Sequence, residues 1–320
     1  MTSASRLFLG VDGGQSSTTV VVGDTDGKIR GWAIAGPCNH VGAAEVRPKF
    51  LRVMRDCLGR AAAMAGLESD RPQFRAACLG MSGGPDDKAG LLTELLAAEH
   101  LDVTHDGHIA LAGAMSGGPG AIVISGTGTI AFGQDAKSRT ARAGGWGYVF
   151  GDEGGGFDLV RQAVRAALRE QEGWGPRTPL TPALLSETGT ANANALVHLF
   201  YTSEWPRSRV AALAPVVNRI AEEGDPVAVG ILHQSAHALA MLAGAVRRQL
   251  WEQEEPSRLA WIGGTFRSAI LLERFRTLVE LDGMVTTSPP DHAPAMGALI
   301  LAYRAAGLQT VPAPLPGVKE

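Results

Sequence analysis

The chain opens on short apolar runs separated by turn residues. Leu7–Val11 and Thr18–Val22 flank a Gly-Gly turn, and Asp26-Gly27 turns the chain into a third run, Ile29–Ile34. The pattern predicts three antiparallel strands. Helical spacing then extends from about Ala43 to Ala65, followed by a strand at Phe74–Leu79, a Ser-Gly-Gly-Pro turn and a helix from about Lys88 to Ala98. Leu101–Thr104 reads as a short strand leading through Asp106 into a helix near Ile109–Met115. Gly117-Gly118-Pro119-Gly120 breaks the pattern and marks the end of a first lobe.

Ala121–Gln134 repeats the opening. An apolar strand ends at Ser125, a Gly-Thr-Gly turn follows, and Thr129–Phe132 leads to Gly133-x-Asp135, just as the first hairpin ends in Gly23-Asp24. Two such hairpins about a hundred residues apart suggest a duplicated unit, two α/β lobes facing each other across a cleft. After a glycine-rich loop, Gly144–Gly156, the pattern is mostly helical through Trp251. A long Ala-rich helix begins near Pro226, behind the cap Gly224-Asp225. Arg258–Ile262 is a strand, Gly263-Gly264 a turn, Ser268–Leu281 a helix and Ala293–Ala306 a last helix, with Pro312–Pro316 a frayed tail. The predicted lobes are 1–116, joined by the returning helix at about 293–310, and 117–292.

Composition narrows the function classes. The 29 basic and 32 acidic residues nearly cancel, so no net field points to nucleic acid or an anionic membrane. The apolar stretches are interrupted before the roughly 20 residues that span a bilayer, which predicts a cytoplasmic protein acting on small molecules. Cys38, Cys57 and Cys78 are odd in number and far apart. They form neither a disulfide framework nor a metal knuckle and read as buried thiols.

Glycines at strand ends let backbone N–H groups approach an anion. Three turns do this here, each after an apolar strand and each with hydroxyl residues beside the glycines: Gly13-Gly14-Gln15-Ser16, Gly126-Thr127-Gly128-Thr129 and Gly263-Gly264-Thr265. Neither a P-loop nor a G-x-G-x-x-G element is present, so the nucleotide would be clamped between the lobes. Asp12, beside the first turn, suits Mg²⁺ held through water or a cap on the turn. Asp106 suits a catalytic carboxylate or a helix N-cap. Asp152 and Glu153, in the glycine-rich loop, suit ligand contact.

Together these motifs resemble the N-acetylglucosamine kinase branch of the sugar kinase, heat-shock ATPase and actin superfamily. The resemblance covers nearly the whole chain and rests on five blocks: Gly10-Val11-Asp12-Gly13-Gly14, Ser125-Gly126-Thr127-Gly128-Thr129, Gly144-Gly145-Trp146-Gly147 with Gly151-Asp152-Glu153-Gly154, Ile262 to Ser268, and His105-Asp106-Gly107. It implies a two-lobed actin-like, ribonuclease H-like ATPase fold with a duplicated mixed-sheet core. It also implies an ATP- and Mg²⁺-dependent kinase acting on the 6-hydroxyl of an amino sugar, N-acetylglucosamine first. Glucosamine or a broader range of hexoses is the alternative.

By the same resemblance Asp106 is the catalytic base. Asn39, Ser82, Gly83, Thr129, Ile130, Gly145, Trp146, Gly147 and Asp152 contact the sugar; Gly13, Gly14, Ser16, Thr127 and Gly128 contact the phosphates; Gly264 and Ser268 lie on the adenosine side. Relatives in the family suggest a homodimer. Gln15 and Ser16 stand where glycine and threonine are usual, and His105-Asp106-Gly107 replaces the Asn-Asp-Ala of acetylglucosamine-specific members.

Other classes compete. Gly80-Met81-Ser82-Gly83-Gly84 fits a hydrolase nucleophile turn, with Asp291-His292 as partners, but a triad needs its acid and base to converge from separate loops. An activator ATPase of acyl-CoA enzymes would need cluster cysteines. A binding or regulatory protein would not need Asp106. Trp205 and Trp261 read as packing residues.

Overall fold

A computed structural model of the chain describes residues 6–14, 17–38, 46–82 and 88–315. The predicted site residues Ser16, Asn39 and Gly83, and Gln15 beside Ser16, lie outside the described residues. In chain order the elements are β1 (Leu7–Gly13), β2 (Thr18–Asp24), β3 (Ile29–Ala35), α1 (Val46–Met64), β4 (Gln73–Met81), α2 (Ala89–Leu92), β5 (Ala97–His105), α3 (Asp106–Ala114), β6 (Gly120–Ser125), β7 (Thr129–Gln134) and β8 (Thr140–Gly144). There follow α4 (Gly156–Gln171), α5 (Leu180–Thr188), α6 (Ala193–Phe200), α7 (Arg207–Ala211), α8 (Ala214–Glu222), α9 (Pro226–Leu250), β9 (Ser257–Ile262), α10 (Ala269–Val279), β10 (Val285–Ser288) and α11 (Pro294–Ala305). The chain divides into two units, Met1–Gly118 with Pro290–Glu320, and Pro119–Pro289.

Each unit is built on a five-stranded mixed sheet, ordered β3-β2-β1-β4-β5 in the first and β10-β9-β6-β7-β8 in the second. Read from matching ends the two are one topology. A leading strand pairs antiparallel with the second, the second antiparallel with the third, and the first and fourth and the fourth and fifth run parallel. The duplication reaches single turns. Asp24 Oδ1 accepts from the N–H groups of Asp26 and Lys28, and Asp135 Oδ1 accepts from those of Lys137 and Arg139. An aspartate that bonds the backbone two and four residues on closes both hairpins.

The apolar run of β1 is buried on both faces, as a central strand with helices above and below requires. On one side Leu9 and Val11 meet Phe50, Met54 and Leu58 of α1. On the other Phe8 packs with Ile109, Leu299 and Tyr303 of α3 and α11, with ring centroids of Phe8 and Tyr303 4.7 Å apart. Glycine makes this close approach possible: a Cβ on Gly10 would lie 2.4 Å from Leu299 N, and one on Gly297 2.0 Å from Ile109 O.

The second unit has a single core between its sheet and α4–α10. Asp225 caps α9 by accepting from Ala228 N–H at 2.8 Å, with Pro226 in the first turn, as the sequence pattern predicts. By length and composition α9 could cross a membrane, contrary to the expectation that no stretch could. Its apolar stripe, including Ile231, Leu239 and Val246, packs in the unit's core.

Two other expectations are corrected. Residues 88–98 form only one helical turn, α2, because the chain from Ala97 pairs with β4 as the edge strand β5. β8 and β10 form in stretches to which the sequence pattern assigns no element. Residues 312–315 are anchored rather than frayed: Ala313 N–H donates to Gly27 O at 2.9 Å, and Leu315 is buried.

Candidate active site

In the first unit the carboxyl ends of three parallel strands lie side by side. Asp12 is in register with Gly80, and Gly80 with Thr104; one residue on, Gly13, Met81 and His105 align. The next residues, Ser82 and Asp106, therefore emerge at one edge beside the first glycine turn, the place where open α/β sheets bind ligands. Gly13 lets the strand end pack against the Met81 side chain, since a Cβ there would lie 2.4 Å from Met81 Sδ.

Asp106 is the first residue of α3, and the N-cap is His105, which makes no side-chain cap bond. The exposed Asp106 carboxylate accepts from Gly107 N–H at 2.9 Å and from Ser82 Oγ at 2.7 Å. Those two donors orient it while leaving lone pairs free. Burial, and secondly the Asp106 charge, push the Asp12 carboxyl up to about 7. Two carboxylates thus share one edge of the sheet. Among the described residues no group of three or more His, Cys, Asp or Glu could hold a metal.

The same contacts dispose of the hydrolase arrangement. Ser82 is bonded to Asp106, whereas Asp291 accepts from Ser116 Oγ at 2.8 Å and His292 N–H donates to Gly113 O, at the opposite end of the nine-residue α3. That helix separates the residues by about 12 Å. The three cysteines are buried thiols as predicted, and burial raises each above its ordinary value. Burial also holds His108 below the usual histidine range.

In the second unit β6 and β9 are parallel neighbours, so the turns that follow them meet. Thr265 Oγ1 lies 2.6 Å from Ser125 Oγ, which donates to Gly154 O at 2.9 Å. Gly263, with φ of 118°, leaves no room for a Cβ, which would lie 2.1 Å from Ser125 O. A pocket of ≈ 510 Å³ opens beside these turns and brings together Gly126, Thr127, Gly264 and Ser268, with Ser208 and Ala211 of α7 on its wall. Ser268 also caps α10, accepting from Leu271 N–H.

The glycine-rich loop returns to the β6–β7 turn. Gly144, Gly145 and Gly147 all take positive φ, which lets the chain double back so that Gly145 N–H donates to Thr129 O at 2.9 Å. Ile130 lies under Gly145, and Trp146 projects outward with the Arg142 guanidinium 4.8 Å from its ring centre. Asp152 is buried against Gly128, accepts from Thr129 N–H at 3.1 Å and pairs with Arg207 at 2.7 Å. Glu153 follows, its carbonyl accepting from Thr129 Oγ1. Thus Thr129, Ile130, Gly145 and Asp152 form one surface. Trp205 and Trp261 pack against the core, as predicted.

Arg207 and the Ser125–Thr265 pair were missed by sequence reading. The latter sit inside motifs already singled out; Arg207 lies 55 residues from Asp152, in a stretch without a motif.

Over residues 9–302 the sequence matches the BadF/BadG/BcrA/BcrD ATPase family. The chain belongs to that family. This family member is 31% identical over 306 residues to the N-acetylmuramic acid/N-acetylglucosamine kinase of Clostridium acetobutylicum, covering 93% of the chain and 98% of the relative. It is 28% identical to the N-acetyl-D-glucosamine kinase of Dictyostelium discoideum, again over 93% of the chain and 98% of the relative. Among solved structures, one from Chromobacterium violaceum described as an N-acetylglucosamine kinase superposes with a TM-score of 0.72 at 28% identity, covering 94% of this chain and all of that one. A ROK family glucokinase from Streptomyces griseus, solved with glucose and AMPPNP, gives 0.54 at 17% identity, over 93% and 99%. The fold is that of the actin-like ATPase and sugar kinase superfamily, as the motifs implied.

Proposed function

We propose that this chain is an ATP-dependent amino-sugar kinase that transfers the γ-phosphate of ATP to the 6-hydroxyl of N-acetylglucosamine, with Asp106 as general base. The observation that carries this is the Asp106 carboxylate. It is exposed at the carboxyl edge of the sheet, beside the first glycine turn, and aimed by Ser82 Oγ and Gly107 N–H. A base in that position accepts the hydroxyl proton as the oxygen attacks phosphorus, so the hydroxyl becomes nucleophilic only where phosphate awaits.

Asp152, beside Thr129, is the acceptor for ring hydroxyls, while Ile130, Gly145 and Trp146 provide the apolar and backbone surface of the sugar. Asn39 and Gly83 complete the sugar side, Gly147 the loop, and Gly13, Gly14, Ser16, Thr127 and Gly128 the phosphate side. Adenosine occupies the pocket bounded by Gly264 and Ser268. Asp12, at the carboxyl edge of the sheet beside the first glycine turn and near the Asp106 charge, fits a magnesium ion held largely through water. Magnesium, when bound, neutralises charge on the β- and γ-phosphates.

The relatives' names span N-acetylmuramic acid, N-acetylglucosamine and, for the Vibrio cholerae relative at 25% identity, glucosamine. ADP release against these three sugars and glucose, with NMR of the product to locate the phosphate, is the test. N-acetylglucosamine 6-phosphate is the expected product. A phosphate on another carbon, or glucosamine as the preferred substrate, would require a different assignment of the hydroxyl or of the sugar.

A further inference from the structure

Among the described residues three non-glycines take positive φ, and Asp152, at 64°, is the one in the sugar-side loop; such a conformation persists only where the surroundings impose it. Its carboxylate is buried, and a buried charge needs a partner. Thr129 N–H occupies Oδ1 at 3.1 Å, and the Arg207 guanidinium occupies Oδ2 at 2.7 Å. Arg207 is fixed in turn: it lies over the Tyr148 ring at 4.6 Å and the Phe157 ring at 5.8 Å. Tyr148 belongs to the same loop, and its carbonyl accepts from Arg161 Nη1. One guanidinium therefore grips the loop at Tyr148 and at Asp152, four residues apart. Each Asp152 oxygen keeps a further lone pair for a sugar hydroxyl.

We propose that Arg207 is a positioning residue for sugar recognition, holding the Asp152 carboxylate and the Tyr148 ring so that the loop between them is formed before the sugar arrives. This rests on the assignment of Asp152 as the sugar-hydroxyl acceptor. Arg207 does not touch the reacting atoms, so its loss acts through Asp152, and the misplaced carboxylate weakens sugar binding rather than ATP binding.

The test uses Arg207→Met, which keeps the apolar stem, Arg207→Lys, which keeps the charge, Asp152→Asn and the double variant Arg207→Met/Asp152→Asn. KM is measured for sugar and for ATP, alongside calorimetric sugar binding. Arg207→Met should raise the sugar KM and Kd about 10- to 100-fold with the ATP KM unchanged. Arg207→Lys should recover part of the loss, and Arg207→Met should add little on top of Asp152→Asn, because both act at one carboxylate.

A sugar KM unmoved by Arg207→Met, where Asp152→Asn raises it, would overturn the inference alone; so would equal losses for sugar and ATP, or effects that add in the double variant. A sugar KM unmoved by Asp152→Asn would remove its premise and overturn it. Absence of sugar-dependent turnover in the unaltered chain would overturn the kinase assignment, and the inference with it.

Discussion

Among the described carboxyl groups Asp12 departs most from its free state. Its carboxyl, pushed up to about 7 from an ordinary 3.8 by burial and by Asp106, is costly to ionise in the folded protein. A raised folded-state value means that the stability attached to the group is complete below about pH 4 and is lost as pH rises through 7. Asp12→Asn removes that dependence. The variant and the unaltered protein should therefore melt alike below about pH 4, and without magnesium the variant should melt higher near pH 8. Magnesium should raise the melting temperature of the unaltered protein near pH 8 and leave the variant unmoved. Parallel melting curves at both pH values would remove the shared-charge account of Asp12. Asp12 and Asp106 were legible in the sequence because both follow short apolar strands at turn residues. Arg207 was not, because an ion pair across 55 residues is specified by tertiary packing and leaves no local pattern.

Among the elements, α11 shows how glycine sets packing distance. Gly297 lies against the backbone of α3, where a Cβ would stand 2.0 Å from Ile109 O and 2.3 Å from Gly113 N. Neither neighbour is a flexible side-chain end, so Gly297→Ala must push α11 away from α3, the helix that carries Asp106. The expected cost is about 3 kcal/mol or more, read as a shift in the denaturation midpoint. An unchanged midpoint would mean that the two helices are not so close. Elements with strong periodicity, such as α1 and α9, were legible, with boundaries within a few residues. The misread segments share a cause. Leu92, Leu95 and Leu96 have helical spacing and are all buried in one core, while β5 and β10 are edge strands whose identity depends on a parallel neighbour distant in sequence. β8 ends in the glycine-rich loop, whose composition masked it.

At the scale of the whole molecule, the identical strand order of the two sheets explains why glycine turns recur at equivalent strand ends. The duplication was visible in the sequence from one pair of hairpins; the matching parallel halves were not, since β4, β5, β9 and β10 share no motif. In each unit the candidate residues gather at turns near the carboxyl edge of the parallel strands, with Asp106 in the first and the Ser125–Thr265 turns and Asp152 in the second. The central claim is that Asp106 activates a sugar hydroxyl toward ATP. The most direct test is ADP release from Mg·ATP with and without N-acetylglucosamine, for the unaltered protein and Asp106→Asn. The expected result is sugar-dependent turnover that falls by about 10²-fold or more in the variant while calorimetric sugar binding persists. Turnover retained in Asp106→Asn, or ADP release indifferent to sugar, would contradict it.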